Sequence, residues 1–421
     1  MTDIGMRRSN NQDSHAAIPA DSAQHYGSRG HLFIVADGMG AHAAGELASR
    51  MAVERITSAY CRSRSGPFEG IESIDFLRIA VEEANEIIHQ RGQQNPEFHN
   101  MGTTASSLAL VQEGAIIGHV GDSRVYRLRG HKLEQMTFDH SLVWEMEASG
   151  QVHPDSALGQ SIPKNVITRS LGPNPEVQVD SEGPFPVQVG DLFMLCSDGL
   201  SGQVEDEEIG AIMACLQPEE AAQVLVDLAN LRGGPDNSTV VIVRVDEIPT
   251  ATDGNARGAS HSSDQVVSRL VPAATVACIV GAVILAVAGM YQTMVIAILL
   301  GLTAAITGIV QYQLNRKPSD IVPRSGRIGG RAPYRRFSAE PTGQLNDKLK
   351  KTVDELRKAA SEKCWELDWS EVEKHQVTSQ QAASNNEFAE AVRHQAEAII
   401  ETMKQLREQH NRAAGETQID D

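Results

Sequence analysis

Two apolar rhythms alternate over residues 1 to about 247. Short runs rich in branched and aromatic residues are bounded by Gly, Asp or Asn and predict strands: "HLFIVAD" (31–37), "TTASSLALV" (103–111), "GAIIGHVGD" (114–122), "SRVYRLRG" (123–130), "GDLFMLCSDG" (190–199) and "NSTVVIVRVD" (237–246). Glu113-Gly114 and "RGHK" (129–132) fall between neighbouring runs as hairpin turns. Longer stretches near 45–62, 72–92, 204–216 and 218–231 carry apolar residues at three- and four-residue spacing and predict amphipathic helices. Consecutive hairpins imply antiparallel sheets, so the α+β class is favoured over a doubly wound parallel sheet.

The pattern changes after residue 247. Residues 248–268, "IPTATDGNARGASHSSDQVVS", are small and polar and predict a linker. Leu270 to Asn315 contain no Asp, Glu, Lys or Arg. As one helix this stretch would be about 69 Å long, more than twice the roughly 30 Å hydrocarbon core of a bilayer. Two transmembrane helices within 269–315, at about 270–289 and 294–314 and broken near "GMYQT", are therefore expected; a buried helical hairpin of a soluble domain is the weaker alternative. The next segment, 316–339, carries Arg316, Lys317, Arg324, Arg327, Arg331, Arg335 and Arg336 against a single acid, Asp320. The positive-inside rule makes it a cytoplasmic juxtamembrane segment, able to rest on anionic headgroups. A two-pass hairpin returns the chain to its starting side, so the first domain and the tail are both expected at the cytoplasmic face of the inner membrane. The tail, 340–421, is expected to be helical. Leu345, Leu349, Thr352, Leu356 and Ala359 form one short stripe, and Phe388, Val392, Gln395, Ile399, Met403 and Leu406 form another, separated by the polar gap "HQVTSQQAASNNE". Self-association through a short coiled coil and a solvated helix pair are both compatible with stripes of this length.

The chain has 421 residues and a formal charge of −18, which argues against a dedicated nucleic-acid binder. Five scattered cysteines, without CxxC pairs, fit a reducing compartment. "MTDIGMRRSNNQD" lacks the apolar core of a signal peptide, in keeping with a cytoplasmic first domain.

Charge also falls where strands begin or end: Asp37-Gly38, Gly121-Asp122-Ser123, Asp198-Gly199 and Asp236-Asn237. A single such Asp is ordinarily a turn or cap residue. Four of them, at the ends of strands that read as buried, are costly to desolvate unless a cation sits among them. Oxygen ligands without His or Cys clusters select Mg²⁺ or Mn²⁺ over zinc. Two such ions can share a water, lower its pKa towards neutrality and aim hydroxide at phosphorus. No side-chain nucleophile is then needed, and none is evident: a GxSxG elbow is absent and Cys196 lies inside an apolar strand. "GMRRSNNQD" adds Arg7 and Arg8, either of which could fork onto phosphate oxygens.

These motifs together resemble the metal-dependent serine/threonine protein phosphatases of the PPM (protein phosphatase 2C-type) family, in its bacterial form. "GMRRSNNQD", "VADGMGAHAAGE", "MGTT", "GDSRVYRLR", "TFDHS", "ITRSLG", "CSDGLSG" and "GGPDNSTVVIV" occur in the family's order across residues 1–247. The resemblance implies a four-layer αββα sandwich of two antiparallel sheets with a metal pair, Mn²⁺ or Mg²⁺, at one end. It implies Asp37 as the bridging ligand, Gly38 binding through its carbonyl, Asp198 and Asp236 on the other ion, and Asp122 at a third, weaker site. Asp13 would orient metal-bound waters from behind the direct ligands, and Arg8 would grip the phosphate. The segment between His140 and Arg169 corresponds to the flap bordering the substrate cleft. Gln12 stands where many members have Glu, Ala41 where Gly is usual, and Met39 where eukaryotic members carry a His; His42 reads as a packing or capping residue rather than a proton donor. The implied activity is hydrolysis of phosphoserine and phosphothreonine by a metal-bridged hydroxide in a membrane-tethered enzyme, acting on phosphorylated proteins such as a bacterial Ser/Thr kinase and its substrates. A catalytically silent, membrane-anchored scaffold is the alternative; a scaffold would be expected to have lost a metal carboxylate, and all are present. Metal-dependent phosphodiester hydrolysis is disfavoured by the lack of His-bearing metal motifs.

Overall fold

The computed structural model describes residues 1–40, 43–62, 70–153, 156, 159, 161–163, 166–248 and 330–417, with 410–417 as helix backbone only. The expected linker and apolar hairpin lie outside the described residues. Among the described ones, no helix is long and apolar enough to cross a membrane.

Strand β3 (His31–Met39) shows how the layers arise. Successive side chains of a strand point to opposite faces. Leu32, Ile34 and Ala36 accordingly pack with helices α2 (Ala44–Cys61) and α3 (Ser73–Gln94), whereas Phe33 and Val35 pack against the second sheet. The first sheet runs β2 (Asp13–Ile18), β3, β5 (Ala105–Val111), β6 (Gly114–Val120) and β9 (Asp180–Phe185), with the short β4 (Gly102–Thr103) paired to the end of β3. In the second sheet, β10 (Leu192–Cys196) divides in the same way: Phe193 and Leu195 face the first sheet, Met194 and Cys196 the outer helices. Its order is β1 (Thr2–Asp3), β11 (Ser238–Arg244), β10, β7 (Arg124–Arg129), β8 (Lys132–Gln135) and β12 (Arg335–Ser338). Every named pairing is antiparallel. Helices α6 (Asp206–Cys215) and α7 (Pro218–Leu231) cover its outer face. Each opens on a capping box, Glu205 with Glu208 and Gln217 with Glu220, which satisfies amides that a helix start otherwise leaves open. The remaining short helices are α1 (Ala23–Arg29), α4 (Leu142–Ala148) and α5 (Asp198–Ser201). Helices, two antiparallel sheets and helices again give the expected α+β sandwich.

The tail differs from its expectation. Met1–Ile248 and Arg327–Asp421 form one compact unit. Within this unit β12 pairs with β8 from Arg335↔Gln135 to Ser338↔Lys132. Arg335 and Arg336, expected beside a membrane, are therefore strand residues bound to Glu147 and Glu134. Three helices follow, α8 (Gly343–Glu362), α9 (Ser370–Ser384) and α10 (Phe388–Thr417). The buried stripe of α8 is Leu345, Leu349, Val353, Leu356 and Ala360, with Val353 and Ala360 in place of Thr352 and Ala359, a 3.6-residue rather than a heptad rhythm. Together with Val392, Ala396 and Ile399 of α10, several of these side chains join the core that α6 and α7 form on the sheet. The apolar stripe, compatible on sequence with self-association or with a solvated helix pair, is in part buried within the chain. Most of the polar gap is helix α9, whose buried residues are Val372, Ser379 and Ala382, too small and polar to stand out as a stripe.

Candidate active site

The carboxylates singled out in the sequence meet at one end of the sandwich. Asp13 opens β2 and stands opposite Asp37 in the β2–β3 register. Asp37 is braced by "MGTT": its amide donates to Thr104 Oγ1 at 2.8 Å, and its carbonyl accepts from the Thr104 amide at 2.8 Å and from Thr103 Oγ1 at 2.9 Å. Gly38 is required by close approach. A Cβ there would lie 2.1 Å from the Gly45 carbonyl oxygen and 2.6 Å from that of Gln12. Asp198 opens α5, and the same constraint recurs at Gly199, where a Cβ would lie 1.9 Å from the Asn237 carbonyl oxygen. Asn237 ties the N-terminal loop to this corner, donating to the carbonyls of Ile4 (2.8 Å) and Asn10 (3.0 Å) and accepting from the Gln12 amide (2.8 Å).

The electrostatics are those of like charges held together. Burial raises the Asp13 carboxyl to about 7, with Asp198 and Asp236 adding to the rise against hydrogen bonds from Thr239 and Ser197. Burial likewise raises Asp122 to about 8, reinforced by Asp198 and Asp139. Asp37 is pushed well up by burial and then by Asp13, Asp198, Asp122 and Asp236. Asp198 is raised by burial and Asp236, with Asp37, Arg8 and Arg124 acting the other way. Asp13 Oδ1, Asp122 Oδ1 and Asp198 Oδ1 are buried without a hydrogen-bond partner among the described residues. Native interiors rarely leave such oxygens unsatisfied. An all-oxygen, anionic set with unused lone pairs fits hard divalent cations such as Mn²⁺ or Mg²⁺.

Arg8 places Nη2 2.6 Å from Asp236 Oδ2 at the open side of the cluster, with both side chains partly exposed. Cys196 is fully buried and its thiol is pushed up to about 12, so it offers no thiolate. Ala41 and His42 lie outside the described residues. Gln12 holds the corner through its backbone, and its Nε2 lies 3.4 Å from the Gly40 carbonyl oxygen.

A cavity of about 300 Å³ adjoins the cluster, with Asp122, Asp198, Trp144, Glu147 and Arg335 among its walls. The stretch between His140 and Arg169, expected to border a cleft, supplies Trp144 and Glu147 through α4. The far wall was not legible in the sequence. Arg335, from beyond the linker, sets its guanidinium 3.8 Å from the centre of the Trp144 ring and 2.7 Å from Glu147 Oε2. Arg124 approaches Trp144 at 5.7 Å and pairs with Asp139 at 2.7 Å. Other contributors missed at the sequence level are polar residues next to the acids. Ser197 Oγ donates to Asp13 Oδ2 at 2.8 Å, and Thr103 and Thr104 hold Asp37. Their signal was adjacency to a motif Asp.

A sequence model described as Protein phosphatase 2C matches residues 6–229. Protein phosphatase PhpP of Streptococcus pneumoniae is 37% identical over 250 residues, 59% of this chain and 96% of that protein. Serine/threonine phosphatase stp of Listeria monocytogenes is 35% identical over 246 residues, covering 58% of this chain and 94% of its own length. Among solved structures, the S. agalactiae serine/threonine phosphatase superposes with a TM-score of 0.52 at 36% identity, over 58% of this chain and 98% of that one. With the family's sequence pattern running through residues 6–229, more than half of the 421, and its acids gathered at one end of the sandwich, this chain belongs to the Protein phosphatase 2C family, whose PPM-type members are metal-dependent serine/threonine phosphatases that use Mn²⁺ or Mg²⁺.

Proposed function

We propose that the chain is a membrane-tethered protein phosphatase that removes phosphate from phosphoserine and phosphothreonine, on substrates of a bacterial Ser/Thr kinase and on the kinase itself, at the cytoplasmic face of the inner membrane. The observation that carries the reading is the set of buried oxygens on Asp13, Asp122 and Asp198 beside Asp37 that have no partner among the described residues. Asp37, Asp198 and Asp236, with the Gly38 carbonyl, would hold two Mn²⁺ or Mg²⁺ ions, and Asp122 a third. Bound there, the ions supply Lewis acidity and a water of lowered pKa. Asp13, fixed by Ser197, orients what lies between these ligands. Arg8 stands at the open side with four further N–H donors for phosphate oxygens beyond its bond to Asp236, and α4 with Trp144 borders the leaving peptide.

The tether rests on the uncharged stretch from Leu270 to Asn315 and on the packing of the tail. Residues on both sides of that stretch belong to one compact unit, so a chain that enters a bilayer there must cross it an even number of times. The test is phosphate release from a phosphothreonine peptide by the full chain in detergent, with Mn²⁺ or with EDTA, beside Asp198→Asn. Activity is expected with Mn²⁺ alone; activity that survives chelation and the substitution refutes the metal roles, and inactivity with Mn²⁺ favours the scaffold. Flotation of the full chain with lipid vesicles, lost on deleting 270–315, tests the tether separately.

A further inference from the structure

A second group of ligand-type side chains sits in the tail, outside the family's sequence pattern. His375 stands on α9, and His394 and Glu397 stand three residues apart on α10, so the group spans two helices. Their ligand atoms converge. His375 Nδ1 lies 3.3 Å from His394 Nδ1 and 2.9 Å from Glu397 Oε2, and His394 Nδ1 lies 2.7 Å from the same oxygen. A tetrahedral zinc with ligands at about 2.0–2.1 Å spaces them about 3.3 Å apart, so the imidazole pair already has that separation and the carboxylate lies a few tenths of an ångström inside it.

The far side of one ring adds an independent indication. His394 Nε2 lies 3.3 Å from Glu390 Oε1, and the other Glu390 oxygen accepts from Arg393 Nη1 at 2.8 Å. Glu390 therefore stands at ion-pair distance on the side away from His375 and Glu397, where metal-ligating histidines ordinarily find outer support.

We propose that His375, His394 and Glu397 form a zinc site, with water as fourth ligand, that fastens α9 to α10. Two imidazoles and a carboxylate suit Zn²⁺ and discriminate against the Mg²⁺ favoured by the all-oxygen set around Asp37. The ion steadies the helical hairpin whose α10 packs over α6 and α7.

The test uses the full chain in detergent, stripped with chelator and dialysed against limiting Zn²⁺ in excess Mg²⁺. Zinc per chain is measured by atomic emission for the unchanged protein, His375→Asn and His394→Ala. The expected result is about one more zinc per chain in the unchanged protein, and a zinc-dependent rise in its melting temperature that neither variant shows. Zinc held at the carboxylate end is common to all three and cancels. Cobalt substitution should give the visible bands of four-coordinate Co²⁺ only where both histidines are intact. Equal zinc in all three proteins, with no such bands, overturns the site and leaves a proton-bonded cluster. Glu390→Gln guards against variants that fold poorly, since it keeps all three ligands. It should weaken zinc binding about 10-fold or more, and unchanged affinity there counts against the proposal.

Discussion

Two parts of this molecule gather charge, in opposite ways. At the carboxylate end Asp13, Asp37, Asp122 and Asp198 crowd together, three of them with a buried oxygen that nothing among the described residues satisfies. Where the tail meets the domain, acids are paired: Glu147 with Arg335, Glu134 with Arg336 and Arg127, Glu208 with Arg232 and Lys348, Asp227 with Arg407. Tyr334 donates to Glu182 at 2.5 Å. Folding tolerates unsatisfied, mutually repelling carboxylates only where something outside the chain completes them, whereas paired charge fixes one chain segment on another. The first pattern marks a site and the second a seam.

The largest expected effect separates them most sharply. Asp198→Asn should lower phosphatase activity by about a thousandfold, ~4 kcal/mol of barrier. It should at the same time raise the melting temperature of the chelated protein, because a carboxylate strained by burial and by Asp236 is gone. A melting temperature that falls in EDTA would mean Asp198 is a structural residue and the contrast is false. Leu349→Ala is the converse. Leu349 is fully buried in the seam core, and its truncation should cost about 3 kcal/mol of stability in urea. Activity per folded molecule in the cold should be unchanged; a matched fall in both would show that seam and site are one device.

Acid offers a third, smaller comparison. His119, three residues before Asp122, is buried with its ring nitrogens at Ser106 Oγ (2.9 Å) and the Phe138 carbonyl (3.0 Å). Burial, and then the neighbouring His140, lower its pKa to about 3. The unfolded chain takes up this proton below about 6.5 and the folded one does not, so His119 lowers stability as pH falls from about 6.5 towards 3. At pH 5 that is about 2 kcal/mol. The raised carboxyls work in the opposite direction, since metal-free Asp13 and Asp122, at about 7 and about 8, bind protons more readily when folded. In EDTA, the change in urea stability from pH 7 to pH 5 should therefore be more favourable for His119→Gln than for the unchanged protein. An identical change in both would remove His119 from the account.

Site and seam also differ in how legible they were. Asp37, Asp198 and Asp236 stood out because each follows or precedes a strongly apolar strand and is flanked by Gly or Asn that the backbone needs, as Gly38 and Gly199 show. The unbroken apolar run "LFIVA" likewise suits a strand buried on both faces, as β3 is. The tail was legible as helix and not as part of the domain. A chain with a linker and a long uncharged stretch between two segments carries no sign that the segments pair. "RRFS" alternates too briefly to read as a strand, and its arginines satisfied the positive-inside rule just as well. Helix α9 hid because Ser379 and Ala382 face inward where larger apolar residues would have marked a stripe.

Arg335 is where seam and site touch, and it tests how far the seam reaches. Its guanidinium lies over Trp144 and pairs with Glu147, both on α4 at the wall of the cavity beside Asp122 and Asp198. The pair with Glu147 is partly exposed, so its electrostatic share is screened and the whole contact is worth about 1 kcal/mol. Arg335→Ala should therefore leave global stability nearly unchanged. It should release α4 enough to raise KM for a phosphothreonine peptide severalfold while leaving p-nitrophenyl phosphate, which has no peptide to border, unaffected. Arg335→Lys keeps the charge without the planar stack and should fall between the two. Equal effects on peptide and small substrate would place Arg335 in the phosphate-binding chemistry instead. No effect on either would confine the tail to holding the sheet edge, because α4 would then keep its place without the residue that the tail lays across it.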